Sequence, residues 1–504
     1  MKKIFKILTA TAIITVFSFE FSTLHAQDAE YELLRHQYTI REDGTMDINY
    51  RKEIKLLRNR AITAYADKGE TFILYNPATD RLTINESYTV RKDGSRVTTP
   101  PNAFIDQLPS QCADCGRYNG LRERVVVHTG LEYDCTVVLD YTLHRRADCL
   151  EETFILAEDC PIKQYELIVD APKGALTSQV EERGQAKQVN DGHSLHVVAK
   201  NLPQKEIANY LPNERELYPY VRIAYGHDHY KMIEMPIEAL PEADYVLGEL
   251  FDNDPLTYAT NIRDYVTDHV HTTDFPLSLI NYNVSPAKET FLSMCGTPRD
   301  KEWLTVTMLR QAGFSTENGE GNGRIKVGIK EQDKTMEYVL VANSKRPARL
   351  AGAAVDEQRT IDISRELLWQ GTPLGDGYKQ MVLPTEEGSI NIDPAWLTTE
   401  RKSPLKVRNC NEKYHYTIAT PRTPKHELVK PVNISYTKKG VGSIRISIQQ
   451  LPGGGVEVVR ELNIDVADGI VSPKQYKAFR QLMQDWNTYK TVTVKAQLKR
   501  INEN

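Results

Sequence analysis

Apolar and polar residues alternate with a period of two through the stretch from about residue 30 to 225. Tyr38 and Ile40 alternate with polar neighbours, Asp43-Gly44 marks a turn, and Met46, Ile48 and Tyr50 resume the alternation. Leu82, Ile84, Tyr88 and Val90 repeat it before a second Asp-Gly pair, Asp93-Gly94, and Cys135, Val137, Leu139 and Tyr141 do so again. Short strands punctuated in this way predict a β-sandwich. Leu240-Pro241-Glu242-Ala243-Asp244 has the look of a linker. Beyond it the period lengthens to that of a helix, with Ile262, Tyr265, Val266, His269 and Val270 on one face. Pro286 opens a short helix through Met294, and Thr297 to Gln311 forms a third. Strand candidates follow at 325–327, 338–341 and 360–363, so the middle of the chain is α+β with its helices first. From about residue 400 the alternation returns with Ile444, Ile446 and Ile448, ahead of a Gly453-Gly454-Gly455 turn. Ser472-Pro473-Lys474-Gln475 is a capping box with proline at the first helical position, and the helix it starts carries Tyr476, Phe479, Met483 and Trp486. A last strand is expected from Thr488 to Val494. The pattern predicts a multidomain α+β protein: a β-sandwich over 27–235, an α+β core over 236–398, and a small β domain with one helix over 399–504.

Composition adds a compartment. Lys2, Lys3 and Lys6 precede an apolar run from Ile7 to Phe19, and Leu24-His25-Ala26 ends it, which is the form of a secretory signal peptide cleaved before Gln27. The run is too short to span a bilayer, so no transmembrane segment is expected in the mature chain. The 504 residues carry a formal charge of −5, and loss of residues 1–26 removes three lysines and Glu20, leaving −7. There is thus no basic field for nucleic acid. Export, with the periplasm as the default destination, allows disulfides to persist. Of seven cysteines, Cys112, Cys115, Cys135, Cys149 and Cys160 cluster early, while Cys295 and Cys410 stand apart. Cys112-Ala113-Asp114-Cys115 lacks the strand-to-helix setting of a thioredoxin motif and the second close pair of a zinc ribbon. Structural disulfides among Cys112, Cys115, Cys149 and Cys160 are expected instead, with Cys135 in the core.

The third helix carries the candidate chemistry. It opens Gly296-Thr297-Pro298-Arg299-Asp300-Lys301 and ends Leu309-Arg310-Gln311-Ala312-Gly313-Phe314. This wording resembles bacterial exported transglutaminase-like proteins, whose active-site helix opens Gly-Asp-Cys-Lys-Asp-Lys and ends Leu-Arg-x-x-Gly-Ile. In that family a β-rich domain of unknown function precedes a papain-like transglutaminase core and a small β domain follows. The turns Asp93-Gly94-Ser95-Arg96-Val97 and Asp106-Gln107-Leu108-Pro109 are similar to the family's. The resemblance implies a papain/transglutaminase-like core in which Thr297 and Pro298 replace the family's Asp-Cys. A cysteine at a helix N-terminus owes its reactivity to the dipole and to a histidine within hydrogen-bond reach. In the family that histidine lies on a downstream strand, and here no histidine occurs between His271 and His415. The strand expected to carry it, at Met336-Glu337-Tyr338, has none. Asp362 and Asp393 are candidates for a third member that has no partners. Thr297 remains a competent N-cap and Pro298 a fitting first helical residue.

The expectation is an exported pseudoenzyme that binds or scaffolds a peptide, polymer or protein partner and needs no cofactor. The alternative is a cysteine-dependent hydrolase or acyl transferase using Cys295 with His269 or His271, the bland reading of Cys295 being a small buried residue. His227 and His229 would share a face on a strand and are weak metal candidates without a third ligand. The 26 tyrosines are compatible with ring stacking on carbohydrate as well as with cross-strand packing, and the sequence does not separate the two.

Overall fold

The computed structural model of the chain describes residues 28–62, 71–146, 149–226, 238–319, 323–331, 334–351, 358–386, 388–420, 425–452 and 454–496. The protein is multidomain and strand-rich, and it divides into two compact units. The first comprises residues up to Pro109, Gly120–Ile207 and Pro219–Gly226; the second comprises Ser110–Asn119, Ala208–Tyr218 and the rest of the chain from residue 227.

The first unit is built on an eight-stranded sheet. Its order is β12 (Ala186–Asn190), β13 (Ser194–Leu202), β10 (Ile162–Asp170), β1 (Ala29–Ile40), β2 (Thr45–Leu56), β8 (Thr136–Arg146), β4 (Asp80–Val90) and β5 (Arg96–Thr98). Only the β1–β10 pairing within it is parallel. The two Asp-Gly pairs make its tight hairpins. Arg41 N–H donates to Thr45 O at 2.9 Å and Arg91 N–H to Ser95 O at 2.8 Å. Gly44 and Gly94 adopt φ of 79° and 83°, the left-handed position that closes such a three-residue loop. Two three-stranded sheets cover one face: β3 (Thr71–Tyr75), β7 (Arg122–Val126) and β6 (Phe104–Gln107), and β11 (Leu176–Glu181), β14 (Tyr220–Gly226) and β9 (Cys149–Ile155). Three apolar clusters result among the described residues. Leu34, Tyr38, Tyr165 and Leu167 centre one, Ile54, Val137, Cys135 and Cys160 another, and Ile73, Val126 and Leu139 a third. Arg145 and Asp80 form a fully buried bidentate pair, at 2.8 and 2.7 Å.

In the second unit, Leu240, Ala243 and Leu247 pack into an apolar core, and the residues expected as a linker fold as a turn followed by α1 (Asp244–Leu250). The i, i+3, i+7 spacing of those apolar residues outweighs the single proline. Next come α2 (Pro255–His269), α3 (Ala287–Ser293) and α4 (Pro298–Gln311). They pack with an antiparallel sheet of β17 (Ser315–Gly319), β18 (Arg324–Glu331), β19 (Lys334–Val341) and β20 (Arg349–Leu350). Trp303 of α4 is fully buried there. The C-terminal strands form two sheets around a second core. One runs β21 (Gln358–Leu368), β25 (Asn409–Ala419), β29 (Gly455–Ile464), β28 (Gly442–Leu451), β27 (Val432–Lys438); the other runs β22 (Thr372–Gly375), β23 (Tyr378–Val382), β31 (Thr491–Ala496), β26 (His426–Leu428). Helix α5 (Pro473–Thr488) buries Tyr476, Phe479, Leu482, Met483 and Trp486 in that core. Because β21 pairs along its length with β25 and β23 with β31, the C-terminal layer begins near residue 358, not at 399.

Candidate functional site

The start of α4 is where the sequence places its candidate site. Thr297 is the N-cap and its Oγ1 accepts the Asp300 N–H at 3.2 Å, while Asp300 Oδ2 accepts the Thr297 N–H at 2.8 Å. Both side chains are wholly buried. The Asp300 carboxylate also accepts the Ser285 N–H at 2.7 Å and the Tyr118 hydroxyl at 2.6 Å. It is therefore held by three donors and, being wholly buried, lies out of a substrate's reach. Burial, with the Asp300 contact second, pushes the Tyr118 hydroxyl up to about 12. Lys301 is buried too; its Nζ donates to Val270 O at 2.7 Å, Thr272 Oγ1 at 2.9 Å and Thr267 O at 3.3 Å, and burial holds its pKa below the usual lysine value. Gly296 lies tight against this cap: a Cβ there would sit 2.8 Å from Asp300 Cβ and 3.2 Å from Thr290 Cγ2.

Pro298 occupies the first helical position, and Asn343, just past β19, donates from Nδ2 to its carbonyl at 3.0 Å. Met336, Glu337 and Tyr338 lie within β19, opposite Ile329, Gly328 and Val327 of β18. One turn along the helix, on the same side as Pro298, Glu302 is half-buried and burial pushes its carboxyl up to about 7, against the pull of Arg299. Nothing in the sequence singles out Glu302, since a glutamate early in a helix is ordinary surface composition.

An arm from the N-terminal half, Ser110–Asn119, belongs to this unit and docks on α3 and α4. Cys115 is disulfide-bonded to Cys295, 180 residues away in sequence. Arg117 donates to Thr290 Oγ1 at 3.3 Å and to Ser293 Oγ at 3.1 Å, and the Tyr118 ring meets Phe275 edge-on at 4.8 Å. This pairing differs from the one expected among Cys112, Cys115, Cys149 and Cys160. The early cysteines are close in sequence, but Cys115 rides the arm to α3, while Cys149 and Cys160 are buried in the first unit. Cys112 is buried in a turn of the arm itself. The sulfur of Cys295 is thus committed to a bond, and as it stands it offers no thiolate for the alternative hydrolase or transferase mechanism.

The other candidates fall as follows. α2 ends at His269, whose ring stacks on Tyr265 at 4.6 Å and whose Nδ1 lies 3.0 Å from the Tyr265 carbonyl oxygen, making that nitrogen the donor. His271 opens a short strand, His271–Thr272, that pairs in parallel with Cys295–Gly296 and sets His271 in register with Cys295; its side chain is exposed. Asp393 caps the turn Pro394–Leu397 through the Ala395 N–H at 2.8 Å and accepts the Tyr210 hydroxyl. Asp362 is exposed on β21, a strand of the C-terminal sheet. His227 and His229 lie outside the described residues. Among the described residues no three His, Cys, Asp or Glu side chains are grouped as metal ligands, and no helix is long and apolar enough to cross a membrane.

Comparison with known proteins covers most of this architecture without assigning it an activity. No curated protein matches the chain. Among solved structures it is similar to a "putative protease" from Parabacteroides distasonis, with a TM-score of 0.68 and 23% identity over 93% of this chain and 100% of that one. At that identity the likeness is one of fold. Two family models match: residues 42–205 fit the Domain of Unknown Function DUF3857, and residues 381–494 fit the Domain of Unknown Function DUF3858.

Proposed function

We propose that this chain is an exported, catalytically inactive transglutaminase-like protein that acts as a binding or scaffolding module for a peptide, polymer or protein partner. The observation that carries the reading is the state of the α4 N-terminus. A proline stands at the first helical position, and Thr297, Asp300 and Lys301 spend their hydrogen bonds on capping and on neighbouring backbone. Such a helix start keeps the architecture of a nucleophile-bearing helix without its chemistry. The N-terminal lysines and apolar run support export, and a disulfide between Cys115 and Cys295 suits an oxidising compartment. The test has two arms. Incorporation of a fluorescent amine into a glutamine-bearing peptide, and hydrolysis of the same peptide, are expected to stay at background with the purified chain, oxidised or reduced. Crosslinking the native protein in cells is expected to recover one recurrent neighbour. Turnover above background that survives purification overturns the inactive reading.

The register of His271 with Cys295 favours one second reading, a thiol enzyme that is silent until the Cys115–Cys295 bond is reduced. It expects turnover that appears on reduction and is abolished by Cys295→Ser, with Cys295 alkylated rapidly near neutral pH. Slow alkylation after reduction removes it.

A further inference from the structure

Only one member of the arm's Cys-x-x-Cys pair is used in the disulfide. Cys115 is bonded to Cys295, while Cys112 stands outside that bond and carries a thiol. Both cysteines nevertheless turn inward. The arm coils with a period of three: Ala113 N–H donates to Ser110 O at 3.2 Å, Cys115 N–H to Cys112 O at 3.1 Å and Tyr118 N–H to Cys115 O at 3.0 Å. Residues three apart therefore fall on one side. Cys112, Cys115 and Tyr118 are buried, while Ala113, Asp114 and Gly116 between them are exposed.

The same turn brings the backbones of Cys112 and Cys115 to bonding separation. A four-residue turn closed by its own backbone hydrogen bond holds its end Cα atoms within about 7 Å. Disulfides join Cα atoms about 4.4–6.8 Å apart. Cys115 already meets that condition with Cys295, at 5.8 Å. It therefore lies between two candidate partners, one in its own turn and one 180 residues away. The docked arm favours the distant one. Arg117 donates to Thr290 Oγ1 and Ser293 Oγ, and Tyr118 donates to Asp300 Oδ2. Where those contacts loosen, closing the short loop costs less chain entropy than closing the long one.

We propose that Cys112 is the built-in exchange partner of the Cys115–Cys295 disulfide, and that docking of the arm sets which bond is present. The Cys112 thiolate attacks Cys115 Sγ, and the Cys112–Cys115 bond forms as the Cys115–Cys295 bond breaks. Cys295 leaves as a thiolate and takes up the proton that Cys112 lost, so one disulfide and one thiol are present before and after. No external reductant or oxidant enters. The product unties the arm from the segment that follows α3. It also leaves a thiol at Cys295, in backbone register with His271. The exchange stands whether the chain is a binding module or a thiol enzyme, because its readout is the disulfide and not turnover.

The test maps disulfides in the full chain, purified without reductant and incubated under argon from pH 7 to 9. Acid quenching, N-ethylmaleimide in denaturant and peptide mass spectrometry then report which cysteines are joined. The expected product is a Cys112–Cys115 peptide together with alkylated Cys295. Its formation should be independent of protein concentration and about ten-fold faster at pH 8 than at pH 7, because the thiolate is the attacking species. Arg117→Ala is expected to raise the share of that product about five-fold, the scale of one net hydrogen bond. Cys112→Ser is expected to keep the Cys115–Cys295 bond throughout, whereas Cys410→Ser, which alters a thiol in the C-terminal core, exchanges like the wild type. Melting temperatures report whether each variant is folded. Absence of the Cys112–Cys115 peptide from both wild type and Arg117→Ala overturns the proposal. So does alkylated Cys295 in folded Cys112→Ser, a Cys112–Cys295 pair in place of Cys112–Cys115, or a share that Arg117→Ala does not raise.

Discussion

Replacing Glu302 by glutamine should stabilise the second unit, and only at neutral and higher pH. The side chain is half-buried on α4 and burial raises its pKa from the ordinary 4.5 to about 7. The folded chain therefore holds this proton more tightly than the unfolded chain does. Below about pH 4.5 the carboxyl is protonated in both states and the substitution changes little. As pH rises from 4.5 to about 7, ionisation is favoured in the unfolded chain, so stability falls; above 7 the penalty is constant. The gap, at about 1.36 kcal/mol per pH unit, corresponds to about 3 kcal/mol. Water still reaches part of the side chain, so a penalty of about 2 kcal/mol is the better expectation. For a unit of this size that is roughly 4–8 °C in melting temperature. The assay is thermal unfolding of wild type and Glu302→Gln in matched buffers from pH 4 to 8. A difference that is the same at pH 4 and pH 8, or a variant less stable at pH 8, would refute the assignment of burial as the dominant cause.

Three further outcomes follow from the same structure. Gly296→Ala should cost about 2 kcal/mol by forcing a methyl group against Asp300 and opening the α4 cap, read as a lower urea midpoint. Cys115→Ala or Cys295→Ala, or reduction of the wild type, should each lower stability by up to about 5 kcal/mol on the loop-entropy relation for a 180-residue separation, and reduction should add nothing to either substitution. Asp80→Ala should cost about 3–5 kcal/mol by stranding the buried Arg145 guanidinium, whereas Asp106→Ala at the more exposed Arg124 pair should cost less than about 1 kcal/mol in the same denaturation assay.

Local chemistry made much of the fold legible. The Asp-Gly hairpins at Gly44 and Gly94, the Thr297 and Ser472 caps, and the prolines at 298 and 473 all act within four residues, and the strands and helices they start are present. What the sequence hid depends on distant partners. Residues 240–244 carry a proline and two acids, and only the core they meet makes them a turn and a helix. The strand β21 looks like a continuation of the middle sheet until its pairing with β25 is known. The partner of Cys115 was equally illegible, because four nearer cysteines compete for it and only the route of the arm selects Cys295. The proline at 298 and the lack of any histidine between His271 and His415 could be seen at once, but the three donors that hold Asp300 could not. One of them, Tyr118, comes from 182 residues upstream.

The path of that arm also governs how the protein can be dissected and made. No single cut separates the two units, because the second draws on Ser110–Asn119 and Ala208–Tyr218, both embedded in the sequence of the first. A fragment beginning at residue 238 would lack Tyr118 and Cys115, leaving Asp300 short of a donor and Cys295 as an unpaired thiol. A fragment ending at residue 226 would carry the complementary loose ends. In a chain synthesised from its N-terminus, Cys115 emerges well before its partner and must wait for residue 295 with Cys112 three positions away. Correct oxidation is thus a late event, coupled to the arrival of the helix the disulfide secures.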